Sequence, residues 1–316
     1  MSTQTPLSDR LRTHLWYWRG WQIRYGVYRP LQSVYTPQPS SPNQAPFLLI
    51  HGFGAALDQW RDNFPVLADD VPSYGIDLLG FGGSAKPAIA YTIDLWVAQI
   101  YDFWRIYIDV PVVLAGNSIG ALVAVIAAAR YPQMVQGVVA ISLPDIAAIE
   151  AMIPPPLRPV QRATKAFLYR LLAQPLFNWL RQPSTLKRAL GMVAYTDAQR
   201  VDDDLVESFA RPARDPDALA AFICLGLSLD LPNYSPNLVQ ALRVLQQAKI
   251  PLLLIWGKKD RAIPPTEGPR LQQYYPAATL IELDGVGHCA HDDAPLIVNQ
   301  TILTWYQQHW NPNFAE

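Results

Sequence analysis

The stretch Val112–Pro132, VVLAGNSIGALVAVIAAARYP, constrains the chain more than any other. Residues 110–129 carry no charge, which is enough length to cross a bilayer. Yet Gly116, the polar pair Asn117-Ser118 and Gly120 interrupt the run at its middle. This pattern predicts a buried strand, a sharp turn and a buried helix. In a G-x-S-x-G turn the two glycines let the strand and helix backbones close on each other, and the serine is held proud of the sheet. The hydroxyl then sits at a helix N-terminus, where N–H groups face developing negative charge.

Further short apolar runs, each of strand length, recur along the chain. FLLIHG (47–52), SYGIDLLG (73–80), VVLAG (112–116), GVVAISL (137–143), PLLLIWG (251–257) and TLIELDG (279–285) alternate with helical segments near 58–69, 92–107, 119–130, 238–248, 267–275 and 294–309. That alternation predicts an α/β fold: a doubly wound, mostly parallel sheet covered on both faces. Residues 21–36 alternate in polarity and read as antiparallel edge strands. The alternation breaks between 145 and 235, too long a stretch to be structureless in a compact domain. Within it Phe167, Leu168, Leu171, Leu172, Leu176, Trp179 and Leu180 recur at helical spacing, with Pro175 expected to kink or split the segment. The predicted organisation is a core in two parts, 1–144 and 236–316, with a helical cap at 145–235 over the C-terminal edge of the sheet. The Pro-rich 37–46 reads as a linker or loose turn.

Lys and Arg number 25 against 26 Asp and Glu, a net charge of −1, which gives no electrostatic reason to expect nucleic acid as a partner. Two cysteines, Cys224 and Cys289, exclude a disulfide scaffold and point to a reducing, cytoplasmic compartment. The opening MSTQTPLSDRLRTHLWYWRGW lacks the unbroken apolar core of a signal peptide. Nothing marks an oligomeric state. Charge within the cap is divided. Residues 151–196 hold seven cations (Arg158, Arg162, Lys165, Arg170, Arg181, Lys187, Arg188) and no acid, whereas acids follow from Asp197. Two readings stay open: peripheral contact with an anionic membrane, or a solvated helix face.

A serine hydroxyl needs a base to take its proton. Of His14, His51, His288, His291 and His309, His288 follows the last strand in the loop LDGVGHCAHDDAP. Asp260, after LLLIWGKKD, is placed to orient it, and the order Ser118, Asp260, His288 is that of a hydrolytic triad. Asp145, ending ISLPD, is the alternative acid; Asp284 reads as a strand-end or turn residue. His288, His291 and Asp292 make too thin a set for a metal, so no metal or cofactor is expected and His291 is assigned a local hydrogen bond. The oxyanion hole is assigned to the backbone N–H groups of Ile119 and Phe53. Gly52 and Gly54 either let that loop approach substrate or serve the turn alone. Asn117 and Trp60 are candidate substrate contacts, with core packing the other reading for Trp60.

Taken together, HGFGAALDQWRDN, GIDLLGFGGSAKP, GNSIG, WGKKDRAIPP and GHCAHDDAP resemble the α/β-hydrolase superfamily. They are most similar to its plant and cyanobacterial branch that includes pheophytinase and chlorophyll dephytylase. The chain departs from that branch at Ala121, where a second glycine is common, and at Ala290 and Asp293, where proline and glutamate are common. The resemblance implies an eight-stranded sheet, with Ser118 as nucleophile, His288 as base and Asp260 as its partner. It also implies a serine carboxylic-ester hydrolase working through an acyl-enzyme on a bulky apolar ester, such as the phytyl ester of chlorophyll or pheophytin, at a thylakoid-type membrane. Haloperoxidase-like, C–C hydrolase and acyltransferase activities, and a ligand receptor retaining the triad, are the alternatives. Haloalkane dehalogenases and epoxide hydrolases share the fold but use an aspartate where this chain has Ser118.

Overall fold

The computed structural model describes residues 11–29, 45–68, 72–146, 148, 158–231 and 233–310. The predicted linker at 37–46 therefore lies almost wholly outside the described residues, as do the side chains of Arg158 and Arg162. Eight strands form one sheet: β1 Leu11–Trp18, β2 Trp21–Tyr28, β3 Phe47–Ile50, β4 Ser73–Ile76, β5 Val112–Asn117, β6 Val135–Ile141, β7 Leu252–Gly257 and β8 Thr279–Leu283. Their spatial order is β1-β2-β4-β3-β5-β6-β7-β8. β1 and β2 pair antiparallel, as do β2 and β4; all other pairs are parallel. The described helices are α1 Phe64–Leu67, α2 Ile93–Tyr107, α3 Ile119–Arg130, α4 Arg158–Leu180, α5 Pro183–Val193, α6 Asp203–Ala210, α7 Ala218–Ser228, α8 Leu238–Gln247, α9 Glu267–Gln272, α10 Ala290–Asp293 and α11 Pro295–Trp310.

Both faces of the parallel strands are covered, which is why they read as unbroken apolar runs rather than alternating ones. Leu48, Ile50, Leu114, Val138, Ala140 and Leu254 pack into one core with α2, α3 and α8. Their neighbours Leu49, Val113, Ala115, Val139, Ile141 and Leu253 point the other way, into a second core with Phe64, Val298, Ile302 and Trp305. The chain crosses from β3 to β4 on one side and then to β5 on the other, so a crevice opens at the C-terminal ends of β3 and β5, the switch point of a doubly wound sheet.

Two expectations need correction. The edge strands comprise β1 and β2, so the first begins at Leu11, ahead of the predicted 21–36; Trp16 and Trp18 point into the core while Leu15 and Tyr17 point out. Pro175 does not split its segment: α4 runs through it for 23 residues. Pro175 and Leu171, the residue whose carbonyl would have received the missing N–H, both lie on the exposed side, where water satisfies the freed carbonyl. The residues between β6 and β7 are helical across α4 to α7.

The turn into α3 has no spare volume. A Cβ on Gly116 would fall 2.3 Å from Gly120 C and O, and one on Gly120 would fall 2.3 Å from Ile50 O. Adding a methyl to a helix glycine ordinarily stabilises; here it must displace backbone. Gly120→Ala is expected to lower unfolding free energy by about 3 kcal/mol, measured as a shift of the urea midpoint at unchanged slope. A stability equal to the parent's would contradict this packing.

Candidate active site

Ser118 sits between β5 and α3 with φ 54° and ψ −121°, a conformation that costs a non-glycine residue of order 1–3 kcal/mol and recurs at functional sites. Its N–H donates to Ile141 O at 2.8 Å, while its carbonyl accepts from Ala121 and Leu122. The turn is thus tied to the next strand and to the helix it opens. Unlike its neighbour Asn117, which is 1% exposed, Ser118 retains surface.

The loops after β7 and β8 bring Asp260 and His288 together: His288 Nδ1 donates to Asp260 Oδ2 at 2.9 Å. Asp260 Oδ1 accepts the backbone N–H groups of Ala262 and Ile263, both at 2.8 Å. Burial pushes the Asp260 carboxyl up, but the His288 and backbone hydrogen bonds outweigh it and hold the group below its usual range. An ionised Asp260 fixes the imidazole proton on Nδ1 and leaves the Nε2 lone pair free to accept one. The alternative acid, Asp145, is committed elsewhere; its Oδ2 accepts from Arg270 Nη2 at 2.7 Å and its Oδ1 from Ala148 N. Asp284 pairs with Lys258 at the surface.

The His288 backbone is pinned from beneath. Its carbonyl accepts Asn117 Nδ2 at 3.1 Å and Ser142 Oγ at 3.0 Å. Asn117, proposed from sequence as a substrate contact, is instead a buried clamp: it joins the residue next to Ser118 to the loop of His288. Ser142, after β6 and with φ 51°, had no signal in sequence beyond its place at a strand end.

The loop after β3 reaches the same point. A Cβ on Gly52 would lie 3.5 Å from Ser118 Cβ and 2.9 Å from Asn117 Oδ1, so Gly52 is needed for close approach, while Gly54, with φ 75°, serves the turn. Ala55 N–H donates to Gly52 O and closes that turn around Phe53. Ile119 is the first residue of α3, and the first N–H groups of a helix have no partner within it. His51, unassigned in the sequence, positions this loop. Its Nδ1 donates to Gly52 O at 2.7 Å and its Nε2 accepts Leu78 N–H at 3.0 Å, and burial pushes its pKa down, keeping it neutral.

Trp60 is 0% exposed and is corrected from cleft lining to core. Its ring lies 4.1 Å from that of His291. His291 in turn makes no local hydrogen bond: neither ring nitrogen has a partner among the described residues. Burial holds its pKa at about 3. The two aspartates after it tie the His288 loop to the cap. Asp292 accepts from Tyr195, Arg61 and Arg200; Asp293 accepts from Gly287, Thr196 and Asp197. Cys289 is fully buried and burial pushes its thiol up, so it stays protonated and unreactive.

A cavity of about 200 Å³ lies between sheet and cap. Phe53, Gly54 and Phe81 form its floor; Phe177, Leu186, Phe209 and Phe222 of the cap close it. Its wall is almost wholly apolar, Lys86 and Arg181 being the charged residues that line it.

Residues 45–295 match the family model of the alpha/beta hydrolase fold, and the chain belongs to that family. It has the eight-stranded, mostly parallel sheet expected of that fold. Among curated relatives, the chloroplastic pheophytinase of Arabidopsis thaliana is 26% identical over 238 residues, covering 72% of this chain. The chain spans about half of that protein, 48%. Lipase 3 of Moraxella sp. (strain TA144) is 26% identical over 256 residues, covering 77% of this chain and 71% of the lipase. Among solved structures, a serine hydrolase involved in carbazole degradation (the CarC enzyme) superposes with a TM-score of 0.72 at 18% identity, covering 94% of this chain and 99% of that one.

Two outcomes follow. Asp260→Asn is expected to reduce kcat on a reporter ester by about 10⁴-fold, whereas Asp145→Asn leaves kcat within a few-fold; the reverse pattern in steady-state kinetics would exchange their roles. For His291, the folded pKa lies below the unfolded value of about 6.5. Its neutral burial therefore supports the fold fully above pH ~6.5, and that support is lost as pH falls toward 3. Urea denaturation should show stability dropping by up to about 1.4 kcal/mol per pH unit from this group, and His291→Phe should flatten the slope between pH ~6.5 and pH ~5.

Proposed function

We propose that the chain is a serine-dependent carboxylic-ester hydrolase that works through an acyl-enzyme on an ester with a bulky apolar chain. The observation that carries this reading is the His288 Nδ1–Asp260 Oδ2 hydrogen bond of 2.9 Å, with the His288 carbonyl held by Asn117, the residue before a positive-φ Ser118. In this reading His288 Nε2 takes the proton from Ser118 Oγ as that oxygen attacks the ester carbonyl carbon. The oxyanion accepts hydrogen bonds from the backbone N–H groups of Ile119 and Phe53. Collapse expels the alcohol, which takes the proton held by His288. Water, deprotonated by the same nitrogen, then attacks the acyl-enzyme and releases the acid, returning the proton to Ser118.

The cap cavity supports an apolar substrate: its apolar lining begins at Phe53 and Gly54, beside the proposed oxyanion donor, and one apolar chain of an ester would lie there. A phytyl ester of a chlorophyll or pheophytin has that form, and the similarity to pheophytinase favours it among apolar esters.

The test is hydrolysis of p-nitrophenyl esters of increasing acyl length, and of pheophytin with phytol measured as product. Rates should rise with chain length, and Ser118→Ala should lose on the order of 10⁴-fold or more in kcat. Release of phytol supports the finer reading. Turnover of small esters with no phytol removes it, and undiminished activity in Ser118→Ala defeats the nucleophile itself.

A further inference from the structure

We propose that the outward face of α4 docks on an anionic lipid bilayer. The helix carries two apolar stripes. Tyr169, Ala173, Phe177 and Leu180 form the inward one. Tyr169 donates to Phe222 O, and the Tyr169 and Phe177 rings lie 5.8 and 5.2 Å from Phe222. The outward stripe is Leu168, Leu171, Leu172, Leu176 and Trp179, at i, i+3, i+4, i+8 and i+11, with Phe167 at its border. All of these are exposed, Phe167 at 69% and Trp179 at 60%. A surface helix of a globular protein needs one apolar stripe; a second, left in water, marks an interaction surface.

Charge selects the occupant. Residues 151–196 hold seven Lys and Arg and no Asp or Glu; Arg170 on α4 and Arg188 on α5 are exposed, Lys165 and Lys187 are exposed while pairing with Asp230 and Asp203, and Arg181 follows α4 beside Phe177. A second copy of the chain seated on the same stripe would place this cationic patch against itself, since a two-fold interface presents the same surface from both sides, and like charges so placed are repelled. An anionic bilayer satisfies both features: the leucines and rings enter the boundary of headgroup and acyl chain while the cations meet lipid phosphates. No described helix is long and apolar enough to cross a membrane, so α4 lies in the interfacial plane. The inward stripe of the same helix, Phe177 and Leu180, lines the cap cavity, so docking would set that cavity close to lipid. The docking itself does not require the ester-hydrolase reading, and Ser118→Ala separates the two.

The experiment is co-sedimentation with vesicles of phosphatidylcholine alone and of phosphatidylcholine containing phosphatidylglycerol. It is run at about 0.1 M and about 1 M salt, between which the screening length falls from about 10 to about 3 Å. The full chain is expected to partition onto the phosphatidylglycerol vesicles, more weakly at high salt, and to bind neutral vesicles poorly. Leu171→Ser with Leu172→Ser and Trp179→Ser should abolish partitioning at an unchanged thermal midpoint. Arg170→Gln should weaken it about fivefold, and Ser118→Ala should leave it intact. Three outcomes would overturn the proposal: no partition by the parent chain, partition indifferent to both sets of substitutions, or a dimer in light scattering that the stripe substitutions dissociate.

Discussion

Three backbone segments meet at the G-x-S-x-G turn with no room for a side chain, and the geometry of the site follows from that contact. The end of β5, the first turn of α3 and the end of β3 approach so closely that Gly116 faces Gly120 and Gly120 faces the Ile50 carbonyl. Close approach forces a sharp reversal between strand and helix, and Ser118 absorbs it by taking a positive φ. The same approach draws the loop after β3 against the serine through Gly52. Ser118 and the loop after β3 are therefore positioned by one packing event, and the strain at Ser118 is met by the burial of β5 and α3 around it.

The remaining components arrive on longer loops and need polar ties. Asn117 and Ser142 hold the His288 carbonyl, and Asp260 holds its ring. Beyond them, Asp292 and Asp293 carry the constraint into the cap through Tyr195, Thr196 and Arg200. A buried carboxylate such as Asp292 is tolerable only where partners compensate its lost hydration, and two of its partners, Tyr195 and Arg200, come from the segment between β6 and β7.

Much of this was legible in the sequence. Parallel strands buried on two faces leave unbroken apolar runs, and all six such runs in the core form strands. Ser118, Asp260 and His288 follow β5, β7 and β8, so all three lie at the C-terminal edge of the sheet, where His288 meets Asp260. What was not legible has a common cause: a side chain's partner is set by tertiary contact. Asn117 beside Ser118 and Trp60 after the loop that follows β3 both suggest substrate contact, yet both are buried. His51 resembles any residue ahead of a glycine turn until Leu78 and Gly52 are found on its two nitrogens. The first edge strand was missed because its alternation at Leu15, Trp16, Tyr17 and Trp18 lies among charges that resemble a loose N-terminus.

The ion-pair cluster at the cap boundary has a consequence for how such a protein can change. Arg61 belongs to the core, Arg200 and Asp202 to the insertion, and Asp292 to the histidine loop. Replacing the lid by recombination would strand Asp292 with a single cation unless the incoming segment brought its own guanidinium to the same place. The stretch from Tyr195 to Asp202 can therefore change only together with the core, whereas the outer helices can vary without disturbing it.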